Sequence, residues 1–287
     1  MPNPSSFKKY FSNTSWLFAE KIIRIGLGLF ITVWLARYLG PEQFGMLNYA
    51  ISFVALFGIL SSLGLSNLAT RELLNNPKDS QYIMGTSFVL HLIGALVLIP
   101  LAVFSVSIVR PDSEIIFIMA LIISFTFFLK PFSVIQYWFE SHVQAKNTAT
   151  VAVITGFISV LIKAILIWIE APLIIFAWVV LVESILFAFG LITMYLSKSN
   201  KISTWKVSFE KAKYLLKEAY PLILAGAVYV FLTRIDQVML GSMIGDNSVG
   251  IYAAAVKLSE GWIFIPGIIA TSLFPAMLNA RKKDYSL

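Results

Sequence analysis

Ten ionisable side chains fall inside stretches of sequence otherwise too apolar to hold them: Glu20, Lys21, Arg24, Lys130, Lys163, Glu183, Arg234, Asp236, Lys257 and Glu260. Each costs about 2.5–3.5 kcal/mol on insertion scales, so each calls for a partner, a wet cavity or a function. Glu20, Lys21 and Arg24 share one helical face, which Gly28 continues without a side chain. They either snorkel toward nearby headgroups or line an interior. Lys163 lies past the midpoint of its stretch, with Ser159 and Gly156 at i−4 and i−7, which points it at a wet cavity. Glu183 sits near the middle of its own stretch, where it either pairs with Lys163 or carries a proton. Arg234 and Asp236 are two positions apart, on different faces, and need separate partners. Lys257 and Glu260 share a face beside Gly261, with Pro266 able to kink the helix. Lys130, just before Pro131, reads as an anchor snorkelling from a helix end. Bases outnumber acids in this set. A cationic interior of this kind suits a substrate bearing phosphate groups, bound through charge-assisted hydrogen bonds.

The elements that must position these groups are membrane helices. Hydrophobic residues make up 58% of the chain, charged residues 13%, and mean hydropathy is +0.82, against about 25% charge in ordinary globular domains. Runs long enough to cross a bilayer (roughly 20 residues each) occur near 15–36, 46–65, 83–108, 115–138, 149–169, 173–196, 219–243 and 251–277. The reading is an all-α integral membrane protein of about eight spans. One set of connections carries Lys8, Lys9, Arg71, Lys78, Lys146, Lys198, Lys201, Lys206, Lys211, Lys213, Lys217, Arg281, Lys282 and Lys283. The other carries only Arg37 and Arg110 among its bases. This asymmetry places both termini in the cytoplasm. It also accounts for the net charge of +7 as membrane topology and attraction to anionic lipid, with no nucleic acid as partner. There is no cysteine, hence no disulfide or thiolate metal site. His91 and His142 are isolated and read as packing residues, and no cofactor or metal is expected. The first apolar run, interrupted by Glu20, Lys21 and Arg24, is a membrane helix rather than a cleavable signal.

A short turn occurs twice. Gly40-Pro41-Glu42-Gln43-Phe44-Gly45 and Gly245-Asp246-Asn247-Ser248-Val249-Gly250 stand 205 positions apart, and the same offset aligns Val33 with Val238, Leu35 with Leu240 and Ala50 with Ala255. Six spans separate the copies, so both have the same membrane orientation, as in parallel-repeat transporters. The implied organisation is a six-helix lobe over 1–196, a lysine-rich cytoplasmic amphipathic linker over 197–218, and the first two helices of a second lobe over 219–287. Trp205, Phe209, Ala212, Leu215 and Leu216 would form the apolar face of the linker helix on the membrane surface. Pro221 would open span seven. A full second copy needs six spans where this chain supplies two, so the expectation is of a truncated second lobe.

The strings ARYLGPEQFG (Ala36–Gly45), YWFES (Tyr137–Ser141), DQVMLG (Asp236–Gly241) and GIYAAAVKLSE (Gly250–Glu260) resemble those of Wzx-type O-antigen and polysaccharide flippases. These belong to the multidrug/oligosaccharidyl-lipid/polysaccharide flippase superfamily. The resemblance implies two six-helix lobes forming a V around a cationic cavity. It also implies flipping of undecaprenyl-diphosphate-linked oligosaccharide by alternating access in the bacterial inner membrane. It puts Glu20, Lys21 and Arg24 in the charged first helix and Asp236 and Lys257 in second-lobe strings.

The expected function is therefore translocation of lipid-linked oligosaccharide, with membrane lipids around it and polysaccharide polymerase and chain-length machinery as protein partners. Lys21, Arg24, Lys163, Arg234 and Lys257 are the candidates for attracting diphosphate and acidic sugars. Glu20, Glu183, Asp236 and Glu260 are the candidates for coupling to a proton or ion. A multidrug-type antiporter is the alternative, although its cationic substrates call for more acids than bases. An inactive remnant is another. A membrane-embedded glycosyltransferase or polymerase would need larger polar loops or a metal-binding carboxylate pair, so an enzyme is not expected.

Overall fold

The computed structural model describes the backbone of residues 4–62 and 64–259, and side chains from residue 26 onward except at 59 and 62. Every regular element in that range is helical. Helix α1 runs from Pro4 to Ser62 but breaks at Gly40, whose φ of 70° and ψ of 170° are open only to glycine at little cost. Pro41 follows at the first position of the second half, where its missing N–H is no loss. The two halves correspond to spans one and two. A short helix α2 (Leu65–Asn75) leads to α3 (Ser80–Val109). Span four is composite: α4 (Glu114–Ser124), a 3-10 segment (Phe125–Phe132), then α5 (Ser133–Ser141). Helices α6 (Ala145–Trp168) and α7 (Leu173–Ser197) follow, then α8 (Phe209–Met243). A further helix, α9, is described over 246–259. Five described helices are long and apolar enough to cross a membrane. Large apolar side chains such as Phe104, Phe189, Phe231 and Leu232 stand exposed on them, as lipid-facing residues do.

The chain has two recognisable ends. At the hairpin end, the turn after Gly40, Arg110, the loop at Ala171 and the turn after Gly245 come together. At the linker end, residues 198–208 fold back onto span three. There the Lys206 amide donates to the Gln81 carbonyl (3.0 Å), the Ser208 amide donates to Thr86 Oγ1 (3.1 Å), and Trp205 packs on Phe88 and Tyr195. The linker is helical only as a single 3-10 turn, Ile202–Thr204, until Ser208 caps α8 by accepting from the Lys211 amide. From Phe209 the helix continues without interruption through Pro221, which therefore lies inside α8 instead of opening it. Leu215 and Ala219 are buried with Ala212 and Ile223 against Leu65, Leu68 and Leu90. Part of the apolar face of this segment is thus covered by α2 and α3, while Phe209 and Leu216 remain exposed.

Candidate functional site

The two copies of the turn meet. Gly40 and Gly245 both have positive φ, 70° and 120°, so the equivalent residue makes each break. Beyond the breaks, a Cβ placed on Gly45 would overlap the Asp246 carbonyl, and one placed on Gly250 would overlap the Pro41 carbonyl. These contacts exchange under the 205-residue offset: position 41 corresponds to 246, and 45 to 250. Backbone touches backbone reciprocally about a local two-fold relation, which only glycine permits. Below this contact Tyr49 packs flat over Gly241, and its hydroxyl lies 3.2 Å from Ser242 Oγ. Ser52 donates to Gln237 at 2.8 Å, and both are buried.

Arg110 fastens the same end. Its Nη1 donates to the Gly241 carbonyl at 2.6 Å, its Nη2 reaches both oxygens of Asp246 (2.8 and 3.1 Å), and its guanidinium carbon lies 4.9 Å from the Tyr49 ring centre. The Arg110 and Asp246 side chains are only 18% and 11% exposed. One planar cation therefore ties the end of span three to the end of span seven and the turn that follows it. Charge patterning in the sequence registered Arg110 only as one of two bases on its side. Its hydrogen-bonded partners lie more than 130 positions away, and no local spacing announces them.

At the other end Lys211 pairs with Asp79 (2.7 Å) and Arg71 with Glu218 (3.4 Å), while Tyr214 donates to Glu72 (3.0 Å). Helix α8 is thus held at both ends. Between the two attachments its middle stands off the first six spans and leaves a cavity of about 440 Å³. Lys130 and Arg234 line it with Thr126 and Thr233, on walls that are otherwise apolar, such as Val54, Ile123 and Phe127.

The remaining candidates are distributed elsewhere. Lys163 and Glu183 do come together, at 3.4 Å, and Ser159 donates to the same Glu183 oxygen at 2.7 Å. The pair borders a narrow space beside Gly28 and Gly156 on the one side. On the other, Glu183 lines a second cavity of about 420 Å³ with Ser184, Gln136 and Lys130. Asp236 accepts from the hydroxyl of Tyr252 in α9 and from the Gln237 amide. Lys257 lines a third, mainly apolar cavity of about 380 Å³ with Arg37, between α1 and α9. Among the described residues, Arg234, Glu183, Lys163 and Lys257 therefore line four different spaces. The side chains of Glu20, Lys21, Arg24 and Glu260 lie outside the described residues. His91 is fully buried, with Nδ1 3.1 Å from the Ser61 carbonyl, as a packing residue.

Lys130 stands eleven residues before the end of the helical segment Glu114–Ser141 and lines the cavities on either side of the 3-10 segment.

A family model for polysaccharide biosynthesis proteins matches residues 11–280. The chain belongs to this family. The match runs through both copies of the turn, the composite fourth span and α8, so the elements that build the central cavity all lie within it. Comparison with curated proteins and with solved structures finds no match.

Proposed function

We propose that this chain is a membrane translocase of the polysaccharide biosynthesis family that carries undecaprenyl-diphosphate-linked oligosaccharide across the bacterial inner membrane by alternating access. The observation that carries this reading is the cavity between the first six spans and α8. Among the described residues it is lined by two cations and by no carboxylate. An anionic headgroup enters such a site by exchanging hydration for charge-assisted hydrogen bonds. With the lysine-rich connections inward, the closed hairpin end faces outward and the linker end faces the cytoplasm, where lipid-linked sugars would load. The Lys163–Glu183 pair supports a coupling role for Glu183, because a carboxylate held by one lysine and one serine can exchange its cation for a proton. Polysaccharide polymerase and chain-length machinery would receive the product.

Deletion of the gene tests this reading. Surface polysaccharide should be lost while polyprenyl-diphosphate oligosaccharide accumulates on the cytoplasmic leaflet, and the full coding sequence should restore both. Undiminished surface polysaccharide, or loss of the lipid-linked intermediate itself, would refute it. Raised drug sensitivity with normal polysaccharide would move the chain to the antiporter reading.

A further inference from the structure

Helix α8 is longer than a bilayer requires. Its 35 residues at 1.5 Å each come to about 52 Å, against about 30 Å of hydrocarbon. Counting about 20 residues back from Met243 sets the inner hydrocarbon edge near Ile223. Span two agrees with this count. It starts at Pro41 and ends at Ser62, and a Cβ on the nearby Gly64 would lie 2.9 Å from the Ile223 amide nitrogen. The first turns of α8 therefore project through the headgroup layer. One face of them packs on α2 and α3 through Leu215 and Ala219. On the opposite face Lys213, Lys217 and Tyr220 are exposed, and the same stripe continues into the hydrocarbon as exposed Leu224 and Phe231. At 1.5 Å per residue Tyr220 stands about 5 Å and Lys217 about 9 Å beyond the edge. The headgroup layer is about 5–8 Å deep, so these two side chains bracket it.

Lys213 and Lys217 are one turn apart, a spacing at which like charges repel. Among the described residues neither amine has a hydrogen bond or an ion pair. The neighbouring charges are engaged elsewhere, Lys211 with Asp79 and Glu218 with Arg71. Glu210, the remaining acid of these turns, is exposed and farther from the membrane than either lysine. We propose that Lys213, Lys217 and Tyr220 bind the headgroup of one anionic phospholipid. Its phosphate accepts from the two ammonium groups and from the Tyr220 hydroxyl, at the depth where amphipathic tyrosines sit. Its chains lie along Leu224 and Phe231. Net charge decides the class of lipid. A phosphatidylcholine headgroup brings its own cation and gains little from two more, whereas phosphatidylglycerol brings an uncompensated negative charge that relieves the repulsion between the lysines. The lysine-rich side of the protein is also the side of the anionic leaflet.

The test titrates the full chain, purified in dodecyl maltoside, with dansyl-labelled phosphatidylglycerol or phosphatidylcholine, read by energy transfer from tryptophan. The wild type should show saturable transfer to the glycerol lipid and only weak, linear transfer to the choline lipid. Lys217→Gln should weaken the saturable binding about fivefold, and Lys213→Gln/Lys217→Gln about twentyfold, at about fivefold per lysine near a membrane surface. Lys217→Arg keeps the charge and should stay within about twofold. Lys198→Gln/Lys201→Gln removes as much charge from the same side of the membrane, away from the stripe, and should also stay within about twofold. In nanodiscs, phosphatidylglycerol should raise the wild-type melting temperature above its value in phosphatidylcholine, because a ligand of the folded state stabilises it. Lys213→Gln/Lys217→Gln should melt like wild type in phosphatidylcholine and lose that rise. Equal affinity of wild type for the two lipids overturns the inference, since no preference for an anion remains. An equal loss in Lys198→Gln/Lys201→Gln overturns it too, reducing the site to a diffuse field. So does a dimer, seen by light scattering, that Lys213→Gln/Lys217→Gln dissociates, because the stripe is then an interface between two copies.

Discussion

Replacing Arg110 by alanine should open the hairpin end by about two orders of magnitude. The substitution removes a two-pronged ion pair, a hydrogen bond to the Gly241 carbonyl and the cation over Tyr49. It also leaves Asp246, 11% exposed, with its charge uncompensated. Truncating one partner of a buried, hydrogen-bonded charge pair costs about 2–5 kcal/mol, much of it the orphaned charge. Taking about 3 kcal/mol, and a factor of ten for every 1.4 kcal/mol, the open population rises roughly a hundredfold. The chain has no cysteine, so a single Val238→Cys substitution supplies one thiol. That residue is 8% exposed and sits in the core beneath the closure. When closing outpaces labelling, the rate of modification by a charged thiol reagent follows the open fraction, so purified Arg110→Ala/Val238→Cys should label about a hundredfold faster than Val238→Cys alone. Arg110→Lys should fall between them, because one amine cannot reproduce the fork. A change below about threefold, in protein with an unaltered helical spectrum, would refute the view that Arg110 holds this end shut.

Three further outcomes follow. Gly45→Ala and Gly250→Ala should destabilise to a similar degree, because each forces a Cβ into the backbone of the opposite turn, whereas Gly26→Ala, with open space around it, should leave the melting temperature unchanged. In a double-mutant cycle of Lys163→Met and Glu183→Gln, thermal stability should show coupling of only about 1 kcal/mol, because Glu183 is 42% exposed and solvent screening discounts the pair. Tyr252→Phe should destabilise the docking of α9 on α8 by about 1–3 kcal/mol, the range for a hydrogen bond to a charged group, and Asp236→Asn should cancel much of the difference between tyrosine and phenylalanine.

Much of the molecule was legible where information is local. Apolar runs marked the spans, the repeated glycines located both backbone breaks, and Glu183 at mid-span called for a partner that Lys163 supplies. For Asp236, the expectation of a partner away from its own helix agrees with the hydroxyl of Tyr252 in α9. What escaped was set by tertiary structure. Arg110 acquires its meaning only when span seven docks against it. The two cavities that Lys130 lines are made by elements distant in sequence, and the local signal beside it was Pro131, which announces a backbone break. The linker stripe divides for a related reason: Ala212 and Leu215 pack on α2 and α3, whereas Phe209 and Leu216 stay exposed.

The reciprocal glycine contact also bears on how the protein is assembled during synthesis. Gly45 with Gly250, Tyr49 with Gly241, and Arg110 with Asp246 are all complete once Gly250 has left the ribosome and entered the membrane. These contacts at the hairpin end can therefore form before the rest of the chain is made, while Tyr252 adds its bond to Asp236 only a few residues later.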